Sequence, residues 1–213
     1  LKNELNMSYW RACWMNRDGE RLDVVENRQI FINFFWSLVD LNCWFIWIDE
    51  TSFNPWTVKF YSWIKKDSYD PVYEYPYGSP SSAICALTDQ GVNFCTMRMG
   101  TNGTREWLMF LIDLEKALEK YYKDDWNYMR RRIVFLFDNA SLHLSPSIYE
   151  FFTKWKLLAF TIPEYTPTFN PIELMFGGVK RQIAQDNLSS RLIEYVAIKC
   201  LRELDERIMY WKI

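Results

Sequence analysis

Two apolar runs constrain this chain more than any other feature. "CWFIWID" (43–49) and "RRIVFLFDN" (131–139) each hold a short, nearly unbroken stretch of aromatic and branched residues, and each brings that stretch to an aspartate, Asp49 and Asp138. Runs of this length and composition read as strands buried on both faces rather than as helices. Two such strands are natural sheet neighbours, and their sheet needs helices above and below it.

The rest of the chain supplies those elements. Val25, Phe31, Phe34, Phe35 and Leu38 recur at helical spacing, which predicts a helix over 24–39 with these residues inward. "SSAICALTD" (81–89) and "VNFCTMRM" (92–99) flank Gln90-Gly91 and predict an antiparallel pair. "TNGT" (101–104) is a turn before an amphipathic helix over 105–122 that buries Trp107, Leu108, Leu111, Leu114 and Leu118. Ser145-Pro146 opens a helix through Trp155, "LLAFTIP" (157–163) is a further strand, and two more helices follow, the last over 190–211. From 43 onward the order is β, β, β, α, β, α, β, α, α. An antiparallel start followed by crossover connections predicts an α/β sheet covered by helices.

Composition narrows the function classes. Apolar residues make up 49% of the chain, which suits a globular core, and the net charge of −2 disfavours a free-standing DNA-reading module. The five cysteines (13, 43, 85, 95, 200) are scattered without a C-x-x-C, which points away from disulfides and zinc and towards a reducing compartment. No apolar run reaches 18 residues, so no membrane partner is expected.

The chemistry lies in three acids. Asp49 and Asp138 close their strands, and Glu173 opens the helix that begins in "NPIELMFGG" (170–178). Each has a local explanation. Aspartates at strand ends form turns. Asn170 is a favoured N-cap, Pro171 suits the first helical turn, and a glutamate at Glu173 reaches back to complete a capping box. Taken together, three carboxylates at the ends of a mixed sheet suit hard divalent cations, which prefer oxygen ligands. Two Mg²⁺ ions about 3.5–4 Å apart activate a water or a 3′-hydroxyl and stabilise the leaving oxygen of a phosphodiester.

"WIDETSFN" (47–54), "FDNASLHLS" (137–145) and "PEYTPTFNPIELMFGGVKR" (163–181) resemble the three signature blocks of the mariner superfamily of DDE transposases. Thirty-four residues separate Asp138 from Glu173, as in the branch of that superfamily that ends in Glu. The resemblance runs from about residue 24 to 190. It implies a ribonuclease H-like α/β fold, a mixed five-stranded sheet with helices on both faces, spanning 24–213. It implies cleavage of DNA at transposon ends and strand transfer of the 3′-hydroxyl into target DNA, typically at TA. Asp49, Asp138 and Glu173 become the catalytic, metal-binding triad, with two Mg²⁺ ions for which Mn²⁺ substitutes. The implied partners are double-stranded DNA and a second copy in a homodimer, and the implied location is the nucleus, or the cytoplasm of a bacterium.

Further residues follow from the same resemblance. Asn139 and His143 fall on the family's "DN…H" positions, and His143 is open between a DNA contact and a surface residue of a pre-helix loop. Lys180, seven residues after Glu173 on one helix face, is the stronger phosphate contact and Arg181 the weaker. An inserted arm at about 53–80 interleaves aromatics with Lys59, Lys65 and Lys66, a pattern that suits DNA strands, a clamp on a partner subunit, or a hairpin that packs its aromatics inward. Residues 1–23 read as the end of a linker from an N-terminal DNA-binding region. Phe176 stands where relatives often carry Trp, and Gly177-Gly178 is a costly pair inside a helix, which close approach to DNA or to a strand would explain. A domesticated descendant, acting in host DNA rearrangement or DNA binding, would carry the same motifs.

Overall fold

The computed structural model describes residues 17–53, 80–88, 91–185 and 211–212. Most of the expected linker, the arm with Lys65 and Lys66, and the last helix up to residue 210 lie outside them.

A 3₁₀ turn (Arg17–Glu20) leads into α1 (Leu22–Asp40). Val24 and Leu38 are buried on this helix, with Phe31 and Phe35 packed beside them, while Val25 is 43% exposed. The expected inward face is therefore turned by one residue at its start. The set 24, 31, 35 and 38 keeps a single helical stripe, and Val25 does not belong to it.

Strand β1 (Trp44–Phe53) pairs antiparallel with β2 (Ser81–Thr88), which pairs antiparallel with β3 (Gly91–Met99). Helices α2 (Thr104–Tyr122) and α3 (Trp126–Met129) then carry the chain back to β4 (Ile133–Phe137), parallel to β1 on its other side. Helix α4 (Pro146–Trp155) starts on Pro146 as expected and crosses to β5 (Leu158–Thr161), parallel to β4. Helix α5 (Ile172–Gln185) packs against β1. A two-residue strand, β6 (Trp211–Lys212), adds to β3 in parallel, so Trp211 is strand where a helix was expected. The sheet order is β5-β4-β1-β2-β3-β6. The five expected strands are all present, and β6 makes a sixth.

Alternation along the strands sends side chains to two cores. Ile46, Ile48, Ile84, Phe94, Ile133 and Phe135 face α2 and α4, where they meet Trp107, Leu111, Leu114 and Phe152. Val134, Leu136 and Ile162 face α1 on the opposite side through Leu38. Helices thus cover both faces. Burying each of these large side chains contributes about 1.5–3 kcal/mol, enough to fix strand register, since a one-residue slip would send every side chain to the wrong core.

Register also opens the site. The β1–β4 ladder ends at Trp47↔Leu136, whereas β1 stays paired with β2 as far as Phe53↔Ser81. Asp49 therefore lies inside a ten-residue strand rather than at its end, because pairing with β2 carries β1 four residues beyond it. It stands where β4 has just left the sheet, and that departure makes the cleft.

Candidate active site

The cleft has a volume of about 450 Å³, and Asp49, Asp138 and Glu173 all line it, together with Asn139, Glu164 and Asn170. The three acids are thus brought to one site from β1, from the end of β4 and from the first turn of α5. Among the described residues, no three acidic, imidazole or thiol groups stand close enough together to hold a metal ion as they are placed here.

Asp49 is only 7% exposed. Its Oδ1 accepts the Glu50 N–H at 2.7 Å, and its Oδ2 accepts the side-chain amide of Asn170 at 2.7 Å. Burial pushes its pKa up to about 7, and the nearby charges of Asp138 and Glu173 push in the same direction. Asp138 behaves oppositely. It is exposed, its Oδ1 accepts the Ala140 N–H at 3.2 Å, and His143 Nδ1 stands 2.5 Å from the same oxygen. The bond from His143 holds the Asp138 carboxyl below the usual carboxylate range. Burial thus raises one carboxyl towards neutral pH, while its histidine holds the other low.

His143 is not the surface residue that its place in a pre-helix loop offered. At 3% exposed it is a core residue, its ring 3.9 Å from that of Trp107, centroid to centroid, and 5.7 Å from that of Phe137. Its Nε2 finds no hydrogen-bond partner. Trp107 in turn donates to Glu50 Oε2 at 3.1 Å, so a run of contacts passes beneath the cleft from Asp138 to the neighbour of Asp49.

The head of α5 departs from its expected capping. The Asn170 N–H is taken by the Pro167 C=O at 3.0 Å, its side chain donates to Asp49, and its Oδ1 has no partner. The N–H that Glu173 would reach for is already occupied, so no capping box forms. Glu173 is exposed and makes no side-chain hydrogen bond among the described residues. Local sequence argued for a cap residue; the structure leaves a free carboxylate facing the cleft. Leaving the amide oxygen of Asn170 buried and unpaired costs about 1–3 kcal/mol.

The other candidates fall at varied distances from this centre. Asn139 lines the cleft and donates to Glu164 Oε1 at 3.0 Å. Lys180 is half-buried and Arg181 exposed further along α5, and neither lines the cleft. Among the described residues a Cβ built on Gly177 or Gly178 meets nothing within 4 Å, so none of the described strands approaches either glycine closely. A second hollow, of about 480 Å³, lies against α1 and shares Asn139, Ile162, Pro163 and Glu164 with the first.

Sequence reasoning missed Asn170 and Glu164 as site residues. Asn170 left one signal, its place three residues before Glu173 in the same short block. Glu164 left only its charge beside Pro163.

Residues 44–194 match the family model described as DDE superfamily endonuclease. The chain belongs to this family. As a DDE endonuclease it has the expected architecture, since it superposes on transposase structures of the ribonuclease H-like fold. The "Mos1 transposase paired-end complex with left transposon end" matches with a TM-score of 0.66 at 15% identity, over 97% of this chain and 66% of that one. The "Mos1 mariner paired end complex with Mn" gives 0.65 at 15% identity, over 97% and 69%. The isolated catalytic domain of Mos1 mariner transposase gives 0.58 at 14% identity, over 93% and 94%. This endonuclease chain therefore spans about two thirds of the longer Mos1 chains and nearly all of their catalytic domain. No curated protein matches it in sequence.

The donor types that line the cleft are those that a divalent metal prefers. All three acids offer hard oxygen ligands, and among the described residues no Lys or Arg forms an ion pair with any of them. Burial raises Asp49 most and the charges of Asp138 and Glu173 add to it, and a cation beside the carboxylate would offset both. Among the described residues no helix is long and apolar enough to cross a membrane.

Proposed function

We propose that this chain is the catalytic domain of a mariner-like transposase that cuts DNA strands at transposon ends and transfers the resulting 3′-hydroxyl into target DNA. The observation that carries the reading is the meeting of Asp49, Asp138 and Glu173 in one cleft of a DDE endonuclease. Solved Mos1 complexes with a transposon end and with Mn support it by analogy.

In this reading Asp49 and Asp138 hold the metal ions and Glu173 completes the second position, with two Mg²⁺ ions, or Mn²⁺ in their place. Bound there, the ions supply activation of a water or 3′-hydroxyl and stabilisation of the leaving oxygen. The protein's own part is orientation. His143 and the Ala140 N–H fix Asp138, and the Glu50 N–H and Asn170 fix Asp49. Asp49, raised to about 7 by its burial, would hold a cation in its ionised form, so metal binding would favour loss of its proton. Lys180 and Arg181, which do not line the cleft, contact DNA phosphates, and Lys65 and Lys66 do the same from the arm. The working partner is double-stranded DNA held by a homodimer, in the nucleus of a eukaryote or the cytoplasm of a bacterium.

The test is cleavage of transposon-end DNA by the full-length protein with Mg²⁺ or Mn²⁺. Asp138→Asn is expected to abolish cleavage and leave the circular dichroism spectrum unchanged. Retained cleavage by that variant overturns the assignment.

A further inference from the structure

We infer that Asn170 is a positioning residue that sets the geometry of Asp49 and Glu173 together. The inference rests on the metal-site reading above, and concerns a side chain to which that reading gives no chemistry of its own.

Asn170 is 5% exposed, and its backbone is fixed at both ends: the N–H donates to Pro167 at 3.0 Å, and the C=O accepts from Glu173 at 3.2 Å. Its side-chain nitrogen is thereby held at the head of α5, where it donates to Asp49 Oδ2 at 2.7 Å across 121 positions of sequence. The second Asp49 oxygen is held by the Glu50 N–H at 2.7 Å, so the plane of the carboxylate is set by two donors. An ionised carboxylate oxygen that accepts one hydrogen bond keeps lone-pair capacity for a cation. The same Asn places Glu173 three residues further along the first turn of α5.

The unpaired Oδ1 argues that this arrangement is not simply the most stable one. An asparagine at a helix start ordinarily turns its oxygen to the free N–H groups of the first turn. Here the side chain is committed to Asp49 by its nitrogen, and its buried oxygen has no partner among the described residues. Buried atoms without partners call for a reason. Groups that orient the ligands of a metal are a common one, and their loss typically costs about 10–100-fold in affinity or activity.

The experiment is a calorimetric titration of Mn²⁺ into the full-length protein and into its Asn170→Leu variant, which keeps the side chain's shape and removes the donor. The variant is expected to bind Mn²⁺ about 10–100-fold more weakly, and to cleave with a lower kcat at an unchanged KM for DNA. A purely structural role would lower the melting temperature without that split. Equal Mn²⁺ affinity in variant and wild type overturns the positioning role alone. No Mn²⁺ binding by the wild type overturns the metal-site reading, and the positioning role with it. If the variant loses its folded circular dichroism spectrum, the wild type decides through its ¹⁵N-labelled asparagine side chains. The Asn170 amide is expected to resist solvent exchange and to shift on adding Mg²⁺; an amide that exchanges freely and does not shift overturns the proposal.

Discussion

His143 Nδ1 stands 2.5 Å from Asp138 Oδ1, and behind that contact the imidazole lies 3.9 Å from the ring of Trp107. The histidine works from within the core on a carboxylate at the surface. His143→Phe keeps an aromatic ring against Trp107 and removes the bond. Asp138 then loses the main cause of its lowered pKa, so it takes up a proton at a higher pH than in the wild type. The Asp138 carboxyl of the variant is expected to titrate at a higher pH than that of the wild type, read by NMR of ¹³C-labelled aspartate carboxyls. Superimposable Asp138 titrations in variant and wild type would contradict this account.

Asp49 predicts the opposite linkage. Its pKa is raised from 3.8 to about 7, so between those values the folded chain binds more protons than the unfolded one. The stability this provides is fully present at acid pH and declines as pH rises through about 7. At about 1.4 kcal/mol per pKa unit, the charged form at high pH carries a penalty on the order of 4 kcal/mol, taken as an upper figure. Asp49→Asn mimics the neutral form. In the absence of metal it is expected to be more stable than the wild type at pH 8, with the difference shrinking towards pH 5. Thermal melts across that range measure it, and a difference independent of pH would refute the linkage.

The elements of the fold were legible wherever a local pattern decides them. β4 is read from its unbroken apolar run, α4 from Ser145-Pro146, and the β2–β3 pair from the glycine between them. What was not legible depends on contacts between distant residues. Asp49 looked like a strand end because the residues after it are polar, yet pairing with Ser81–Cys85 carries β1 onward. Asn170 looked like a cap because every local preference favours one, and its actual partner lies in another strand. His143 sits between Leu142 and Leu144, and neither neighbour reveals that the loop turns its ring inward onto Trp107. The three acids were found because their spacing is carried by the motif, whereas the groups that hold them belong to the packing.

Gly177 and Gly178 lie on the exposed side of α5, and a methyl group at either position meets no atom of the other elements within 4 Å among the described residues. A glycine inside a helix costs about 0.8–1.0 kcal/mol relative to alanine. Gly177→Ala and Gly178→Ala are each expected to stabilise the protein by about that amount, read as a rise in the urea midpoint at an unchanged m-value. If the glycines serve a close approach of DNA, the double variant gains stability and loses DNA affinity. A loss of stability would show that the helix is held differently at this point.

Glu164 puts a fourth carboxylate on the lip of a cleft that has to admit a phosphodiester. Its Oε1 accepts from Asn139 at 3.0 Å, and glutamine at this position keeps that acceptor while removing the charge. Because the site is exposed, Glu164→Gln is expected to change stability by less than about 0.5 kcal/mol. Two unit charges about 4 Å apart in water repel by about 1 kcal/mol, so removing one is expected to lower the KM for DNA by up to about fivefold at low salt. The gain is expected to fade as salt screens the lip, and cleavage assays from about 0.05 to 0.5 M NaCl would follow it. A fall in kcat at constant KM would give Glu164 another role, with the carboxylate itself taking part in the reaction rather than guarding the entrance.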